Sequence, residues 1–227
     1  MSLIANLDTL EKGLIVSCQA PVDSPLHDPD IIAAMAKAAV NNGAVGVRID
    51  TPSHIQAVRK QVTQPIIGLW KQIITGSEVY ITPQFHHAVA VAQAGADIIA
   101  IDATTRKRPG DEKIIDIINR IHQELNKPVM ADVDTFEAAK LAIEAGADIV
   151  GTTLFGYTQE TKSLTPPGWE LLTEIVEELN TFVICEGGIS SPDAAKKALN
   201  LGANAVVVGT AITGIDLQVK AYQSAIG

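Results

Sequence analysis

Hydrophobic positions along the chain fall into a pattern that is repeated four times. Each repeat has an alanine-rich helical stretch, then a glycine that ends the helix, then a run of mostly β-branched residues typical of a strand. The repeats are GAVGVRID from Gly43, GADIIAID from Gly95, GADIVGTT from Gly146 and GANAVVVG from Gly202. Their first glycines are 52, 51 and 56 residues apart. Because one strand-and-helix unit of a barrel takes roughly 25 to 30 residues, each interval holds two units and the chain holds eight.

The same pattern predicts where the eight strands and the helices between them lie. We predict strands at residues 14–17, 45–50, 65–70, 98–102, 128–133, 148–152, 182–186 and 205–209. Helices are predicted at residues 30–42, 85–94, 111–125, 135–145 and 192–200, the last after the helix-starting sequence Ser191-Pro192-Asp193. Strict alternation with short connections indicates a parallel sheet. The sequence therefore predicts an α/β protein with a single domain over residues 1–227, a (β/α)8 TIM barrel with eight parallel strands.

A doubly wound Rossmann or flavodoxin-like sheet is the main alternative to the barrel. Such sheets usually have five or six strands, and a GxGxxG sequence opens the first helix of the Rossmann type. Eight strands are predicted here, and no GxGxxG opens the first helix. The repeat therefore favours the barrel.

Composition narrows the class of protein further. Apolar residues make up 47% of the chain and aromatic residues only 4%, as expected for parallel strands buried on both faces. The net charge of −9 argues against a nucleic-acid partner, which needs clustered Lys and Arg. We expect no signal peptide, since no basic segment followed by a long apolar run opens the sequence, and no membrane span, since no apolar stretch approaches the required ~18 residues. With only two cysteines, Cys18 and Cys185, we expect no disulfide framework and a cytoplasmic location.

Polar residues follow the predicted strands at their carboxyl ends, where barrels of this kind carry their chemistry. Lys71 and Glu186 are the best catalytic candidates, because each follows an apolar run whose burial would shift its pKa. Asp50, which precedes Thr51-Pro52-Ser53, is interpreted more simply as a loop or helix-capping residue. The complete set is Ser17, Cys18, Gln19, Arg48, Asp50, Lys71, Asp102, Asp132, Thr152, Thr153, Glu186, Gly209 and Thr210.

Two glycine-containing turns, Gly187-Gly188 and Gly209-Thr210, follow the last two predicted strands. Their backbone N–H groups could approach a phosphate, with help from the start of the following helix. Each pair could instead make only a tight turn, but barrels commonly bind phosphate at these two positions. The sequence therefore predicts a site for a small phosphorylated sugar at this end of the barrel.

Two other features are less informative about chemistry. The segment 73–84, IITGSEVYITPQ, is the longest apparent connection from a strand to a helix and is a candidate lid or positioning loop. The pair His86-His87 makes a poor metal chelate, because adjacent helical residues point about 100° apart. Since no His-x3-His spacing occurs either, we expect no histidine metal site. The acidic stretch 174–178 is interpreted as the solvated face of a helix.

Taken together, these segments resemble the N-acetylmannosamine-6-phosphate 2-epimerase family along nearly the whole chain. The resemblance implies that Lys71 is the catalytic lysine and Glu186 the catalytic glutamate. It also implies that Gln19, Arg48 and Asp132 hold the sugar, that the Gly187-Gly188 and Gly209-Thr210 turns bind its phosphate, and that no metal or organic cofactor is needed. Members of the family are bacterial cytosolic enzymes of amino-sugar and sialic acid breakdown. The matching segments are SCQA from Ser17, GVR from Gly46, GLWK from Gly68, GSEVYITP from Gly76, DATTRKRP from Asp102, MAD from Met130, GTTLFGYT from Gly151, EGGI from Glu186 and VGTAIT from Val208.

The chain departs from the family pattern at the phosphate turns and at one strand end. Family members often carry a basic residue where this chain has Gly188, and they commonly read Ala-Ile-Thr-Arg-Pro where it has the sequence from Ala211 to Ile215. Gly214 thus replaces an arginine that helps to bind the charged end of the substrate. We expect the glycine backbone and Arg48 to supply contacts in its place. Trp70 stands where smaller aliphatic residues are common.

Strands three and seven lie across an eight-stranded barrel from one another, which predicts a mechanism. We expect Lys71 to remove the carbon-2 proton of an open-chain N-acetylhexosamine phosphate and Glu186 to return a proton on the opposite face. Arg48 would stabilise the developing oxygen charge.

Other functions stay open at this point. Lys71 could instead attack a carbonyl, as in a Schiff-base aldolase or lyase. A metal-dependent pentose-phosphate epimerase and a catalytically silent phosphosugar-binding barrel are further alternatives. The stretch 216–225 is predicted to be helical and either closes the barrel or mediates self-association as a homodimer.

Overall fold

The computed structural model describes residues 7–227, and within them eight parallel strands form a closed barrel. Each strand pairs with the next along the chain, and β8 pairs with β1, which confirms the predicted TIM barrel. The strands are β1 Leu14–Cys18, β2 Gly46–Asp50, β3 Ile66–Leu69, β4 Ile98–Asp102, β5 Val129–Asp132, β6 Ile149–Gly151, β7 Phe182–Cys185 and β8 Ala205–Val208. The helices are α1 Pro29–Asn41, α2 Pro52–Arg59, α3 Phe85–Gln93, α4 Ile114–Arg120, α5 Phe136–Glu144, α6 Trp169–Glu178, α7 Pro192–Asn200, α8 Thr210–Thr213 and α9 Ile215–Ile226.

The strand bounds agree with the sequence prediction to within one residue at each end. Helices α1, α3, α5 and α7 agree equally well. The reason is visible at the four repeat glycines, Gly43, Gly95, Gly146 and Gly202, whose φ angles lie between 97° and 106°. Only glycine adopts this backbone conformation without strain, so each one ends a helix and turns the chain into the next strand.

Apolar side chains fill both sides of the barrel wall. One cluster, which includes Ile15, Ile67 and Ile184, packs inside the barrel, and two others pack between the strands and the helices. Neighbouring residues of a strand point to opposite sides of the wall. Val47 and Ile49 belong to an outer cluster, so Arg48 between them points into the barrel.

Two sequence predictions about the connections need correction. The predicted helix 111–125 is regular only over Ile114–Arg120; a 3-10 turn, Pro109–Asp111, precedes it, and a π-helical turn, Ile121–Leu125, follows it. The longest connection from a strand to a helix is not the one that contains residues 73–84. That connection spans residues 70–84, whereas the β6–α6 connection spans residues 152–168. The sequence of the β6–α6 connection is rich in turns and has no periodicity from which its length could be predicted.

The predicted helical stretch 216–225 is confirmed as part of α9, which follows the short helix α8. The acidic stretch lies on α6, and Glu174, Glu177 and Glu178 are exposed as predicted. Among the helices of residues 7–227, none combines the length and the apolar character that a membrane span needs.

Candidate active site at the mouth of the barrel

A buried ion pair between Arg48 and Asp132 lies inside the barrel, near the mouth formed by the carboxyl ends of the strands. Arg48 on β2 donates from Nη1 to Asp132 Oδ1 at 3.1 Å and from Nη2 to Oδ2 at 2.6 Å. Their side chains are only 1% and 0% exposed. Burial alone would lower the pKa of Arg48, but the charges of Asp132 and Glu186 raise it. Arg48 is therefore a permanent cation, held by carboxylates on two sides.

Glu186 follows β7 and continues this network. Its Oε1 lies 3.2 Å from Arg48 Nε, and its Oε2 lies 3.1 Å from Thr153 Oγ1. Burial raises the pKa of Glu186 to about 7, and the positive charge of Arg48 opposes that shift. Near neutral pH this carboxyl group can therefore be present either as an acid or as a base.

Two threonines after β6 fix the position of Glu186, a function that the sequence analysis did not assign to them. The Thr152 hydroxyl accepts a hydrogen bond from the Glu186 backbone N–H at 3.1 Å and donates to its backbone carbonyl at 2.9 Å. Thr153 Oγ1 lies 2.7 Å from Asp132 Oδ1 as well as close to Glu186. Because β5, β6 and β7 are neighbours, hydroxyls that follow β6 lie between the acid that ends β5 and the acid that follows β7. This strand order could have predicted the contacts.

Lys71 stands just after β3, on the opposite side of the barrel from Glu186. Its Nζ donates to Gln19 Oε1, and Gln19 Nε2 donates to Ser17 Oγ at 2.7 Å. Lys71 is exposed to solvent, although many protein atoms lie around its ammonium group. Desolvation lowers the pKa of its ammonium group, the nearby charge of Arg48 adds to this effect, and Asp50 opposes it. A lysine in this setting has a larger neutral fraction than a free lysine, as a general base requires.

Asp50 has a different structural role from the predicted one. Helix α2 has Thr51 at its N-cap without a side-chain cap, so Asp50 is not a capping residue. Instead Asp50 Oδ1 accepts a hydrogen bond from the Lys71 backbone N–H at 2.9 Å. Asp50 therefore fixes the chain at the point where the lysine side chain leaves β3.

The segment 73–84 forms a hairpin whose base is fixed beside Lys71. Gln72 N donates to the Tyr80 carbonyl at 2.8 Å, and Thr82 N donates to the Trp70 carbonyl at 2.9 Å. Burial raises the pKa of Tyr80 to about 12, and the charges of Asp102 and Asp132 add to this shift. Tyr80 was not among the residues predicted from the sequence. It is a neutral phenol close to the charged groups of the site.

Some of the predicted polar residues form hydrogen bonds with other residues of the protein. Asp102 is fully buried and accepts hydrogen bonds from Thr104 Oγ1 at 2.7 Å and Arg106 Nη2 at 2.8 Å. His87 is buried with its ring against Trp70, at 5.3 Å between the centroids, while His86 is exposed. No group of three or more metal-binding side chains occurs within residues 7–227.

The two glycine turns stand beside each other at the mouth. Gly187 and Gly188 have φ angles of 99° and 70°, and Gly209 directly precedes helix α8. Within residues 7–227, the backbone N–H groups of Gly187, Gly188 and Thr210 donate to no acceptor. Donors of this kind at a turn can bind an anion.

The two glycine departures from the family pattern, Gly188 and Gly214, both lie where a side chain would be crowded. A Cβ on Gly188 would lie 2.6–2.9 Å from atoms of Pro166, which belongs to the β6–α6 connection. A Cβ on Gly214 would lie 2.8–2.9 Å from atoms of Thr210. Arg48, which we expected to help bind phosphate, is 1% exposed and paired with Asp132 and Glu186, so its geometry does not support that expectation.

Comparisons with known proteins show which family the chain resembles. The profile of a family described as “Putative N-acetylmannosamine-6-phosphate epimerase” matches residues 32–227. A protein from Thermosynechococcus vestitus named “Putative N-acetylmannosamine-6-phosphate 2-epimerase” is 64% identical to this chain, over 97% of this chain and 96% of the relative. A protein of the same name was also found in a second organism. One in Listeria monocytogenes is 43% identical over 91% of each chain.

A solved structure of the N-acetylmannosamine-6-phosphate 2-epimerase from Clostridium perfringens superposes with a TM-score of 0.93 at 40% identity. The match covers 97% of this chain and 96% of that one. A thiamine phosphate pyrophosphorylase from Pyrococcus furiosus, with a TM-score of 0.60 and 19% identity, shares the fold alone.

Proposed function

This chain belongs to the N-acetylmannosamine-6-phosphate epimerase family, and we propose that it interconverts N-acetylmannosamine 6-phosphate and N-acetylglucosamine 6-phosphate. One observation carries the proposal: Lys71 and Glu186 follow opposed strands, β3 and β7, at one barrel mouth. The lowered pKa of Lys71 and the raised pKa of Glu186 suit a base and an acid that share one substrate. The reaction belongs to amino-sugar and sialic acid breakdown.

The proposed mechanism moves one proton off carbon 2 and one proton onto its other face. In the open-chain sugar, the aldehyde at carbon 1 makes the carbon-2 proton acidic. Neutral Lys71 takes this proton and becomes an ammonium group, and an enolate forms. Glu186 then gives its carboxyl proton to the opposite face of carbon 2 and becomes a carboxylate. The adjacent carbonyl supplies the activation, so the step requires no metal or organic cofactor.

Arg48 and Asp132 support the chemistry from below the substrate. Both are buried, and Arg48 reaches Glu186 with its Nε. We therefore assign them the role of holding the Glu186 carboxyl group in position and balancing its charge. Gln19, which contacts Lys71 Nζ at the mouth, holds the lysine and is placed to contact the sugar.

The phosphate of the substrate is assigned to the Gly187-Gly188 and Gly209-Thr210 turns. Their backbone N–H groups supply donors without a basic side chain. Pro166 favours this arrangement, because it leaves no room for a side chain at residue 188 and so only the main chain there is available to a ligand.

Helix α9 supports a second proposal, that the protein forms a homodimer. The face of α9 formed by Ile215, Val219, Tyr222 and Ile226 is 55–79% exposed, and no residue of the helix is buried. A 12-residue helix is marginal in water unless its apolar face is covered. A second copy of the chain would cover it. Sedimentation of a Val219→Glu/Tyr222→Glu variant should give a monomer, and a Lys220→Gln control should keep the dimer; a monomeric unaltered protein would exclude the proposal.

The proposed activity is tested by adding either sugar phosphate to the purified protein and following both epimers by NMR. We expect the same equilibrium mixture from either epimer. The protein should remain active in the presence of a chelator and after it has been treated with borohydride together with substrate. Inactivation by borohydride with substrate would indicate a Schiff-base enzyme. Binding of the sugar phosphates without interconversion would indicate a silent binding barrel, and either result would overturn the proposal.

A further inference from the structure

Thr153 lies between two carboxyl groups, and this position has a consequence for the proton on Glu186. We propose that Thr153 is a positioning residue that holds a proton on Glu186 Oε2 by accepting a hydrogen bond from it. The use of this proton in the reaction rests on the proposed function, whereas its location rests on the contacts of Thr153 alone.

The number of hydrogen atoms available decides the arrangement. Thr153 Oγ1 lies 2.7 Å from Asp132 Oδ1 and 3.1 Å from Glu186 Oε2. A threonine hydroxyl has one hydrogen to donate and two lone pairs that can accept. It can therefore donate to only one carboxyl group, and the shorter distance assigns that donation to Asp132. The contact with Glu186 is then favourable only if Oε2 itself carries a hydrogen and donates it to Thr153.

The ion pair explains why Glu186, and not Asp132, carries this proton. Both oxygens of Asp132 accept hydrogen bonds from the Arg48 guanidinium, which stabilises the ionised form. Arg48 approaches Glu186 only at Oε1, at 3.2 Å, and leaves Oε2 to Thr153. Burial raises the pKa of Glu186 and so favours the protonated carboxyl group independently of Thr153.

Every element packed around Glu186 contributes a group to its surroundings. The positive charges of Arg48 and Lys71 favour the carboxylate, and the negative charge of Asp132 favours the acid. Burial is the main cause that raises the pKa of Tyr157, in the β6–α6 connection, and the negative charge of Glu186 adds to the shift. Within residues 7–227, Thr153 is the one hydroxyl that contacts the Glu186 carboxyl oxygens.

The two possible directions of the Thr153 hydrogen bond have opposite effects on Glu186. If Thr153 donated to Glu186, it would stabilise the carboxylate and lower its pKa. If Thr153 accepts, as the single hydrogen requires, it stabilises the acid and raises the pKa. In the proposed reaction the proton of Oε2 goes to carbon 2, while Thr153 keeps its own hydrogen, which it donates to the Asp132 carboxylate. Thr153 thereby keeps Glu186 loaded for the step in which it acts as an acid.

The experiment is a pH titration of the Glu186 carboxyl carbon by 13C NMR, in protein labelled at glutamate, with Glu186→Gln to assign the signal. We expect a midpoint near the raised pKa of about 7 in the unaltered protein. Thr153→Val should lower the midpoint by roughly 0.5 to 1 pH unit, the size of one lost hydrogen bond. Thr153→Ser, which keeps the hydroxyl, should restore it. An unchanged or raised midpoint in Thr153→Val would overturn the proposal.

Two further measurements keep this proposal testable if the valine variant does not fold or if the epimerase assay fails. Thr153→Ala, which is smaller and can be used if the valine does not fold, should lower the midpoint in the same way. If the protein is an epimerase, Thr153→Val should also lower kcat roughly tenfold with little change in KM, and Thr153→Ser should recover it. The titration needs no catalysis, so it still decides the position of the proton if the epimerase assay fails.

Discussion

Arg48 and Asp132 meet inside the barrel through two parallel contacts, Nη1 to Oδ1 at 3.1 Å and Nη2 to Oδ2 at 2.6 Å. Neither side chain is more than 1% exposed to solvent. A buried charge is costly unless its partner remains, so this pair is a strong constraint on the interior of the barrel mouth. It also sets the electrostatic environment of Glu186, which contacts Arg48.

Replacing Asp132 by Asn should therefore destabilise the protein strongly. The substitution leaves Arg48 buried and without a full countercharge, and loss of one partner of a buried pair costs about 3–5 kcal/mol. Urea unfolding measures this change in the free energy of unfolding. Glu124→Gln, which removes an exposed partner of Arg120, is the control and should change stability far less. Equal losses in the two variants would contradict the importance of the Arg48–Asp132 pair.

The pH dependence of kcat/KM should follow the raised pKa of Glu186 and the lowered pKa of Lys71. Well below about pH 7, both groups carry a proton and the pair contains no base, so activity should rise as the pH passes through this region. At high pH both groups have lost their protons and the pair contains no acid, so activity should fall again. The upper limb should lie below the ordinary pKa of a lysine.

The substrate phosphate is a confounding group in this profile, because its second pKa is about 6. A 31P titration of the free substrate locates its contribution, which can then be separated from that of the enzyme. A profile without a rising limb between about pH 6 and 8, after this correction, would contradict the assignment of Glu186.

Gly188→Ala should be more harmful than the same substitution at Gly43. Both glycines have positive φ, 70° and 97°, so both variants strain the backbone. A Cβ at Gly188 also meets Pro166 at 2.6–2.9 Å, whereas nothing lies within 4 Å of a Cβ at Gly43. We expect Gly188→Ala to lose roughly 1–3 kcal/mol more stability by thermal unfolding, from overpacking, and to raise KM by displacing a phosphate turn. Equal losses at the two positions would show that the Pro166 contact is unimportant.

The barrel was predictable because its information is local. Gly43, Gly95, Gly146 and Gly202 each end a helix through their own backbone conformation, and the β-branched run that follows is visible without knowledge of the rest of the fold. The positions of Lys71 and Glu186 at strand ends follow directly from this pattern. The irregular helix at 111–125 was not predictable, because its 3-10 and π-helical turns interrupt one continuous apolar periodicity.

The finer organisation of the site depends on contacts between distant parts of the chain. The role of Thr153 requires Asp132 and Glu186 to be placed on either side of it, which only the barrel order provides. The same holds for Asp50, whose partner Lys71 lies on the neighbouring strand. The crowding of Gly188 by Pro166 arises from the β6–α6 connection, whose path has no periodic signal in the sequence.

Solvent deuterium incorporation at carbon 2 tests the central claim most directly. In deuterated water, the unaltered protein should place deuterium at carbon 2 of the product during interconversion of the two epimers. Lys71→Ala should stop both interconversion and deuterium entry from N-acetylmannosamine 6-phosphate, because no base remains to take the proton. Glu186→Gln should stop interconversion while Lys71 still catalyses slow exchange on its own face. Unchanged turnover with deuterium entry in Lys71→Ala would contradict the two-residue proton transfer.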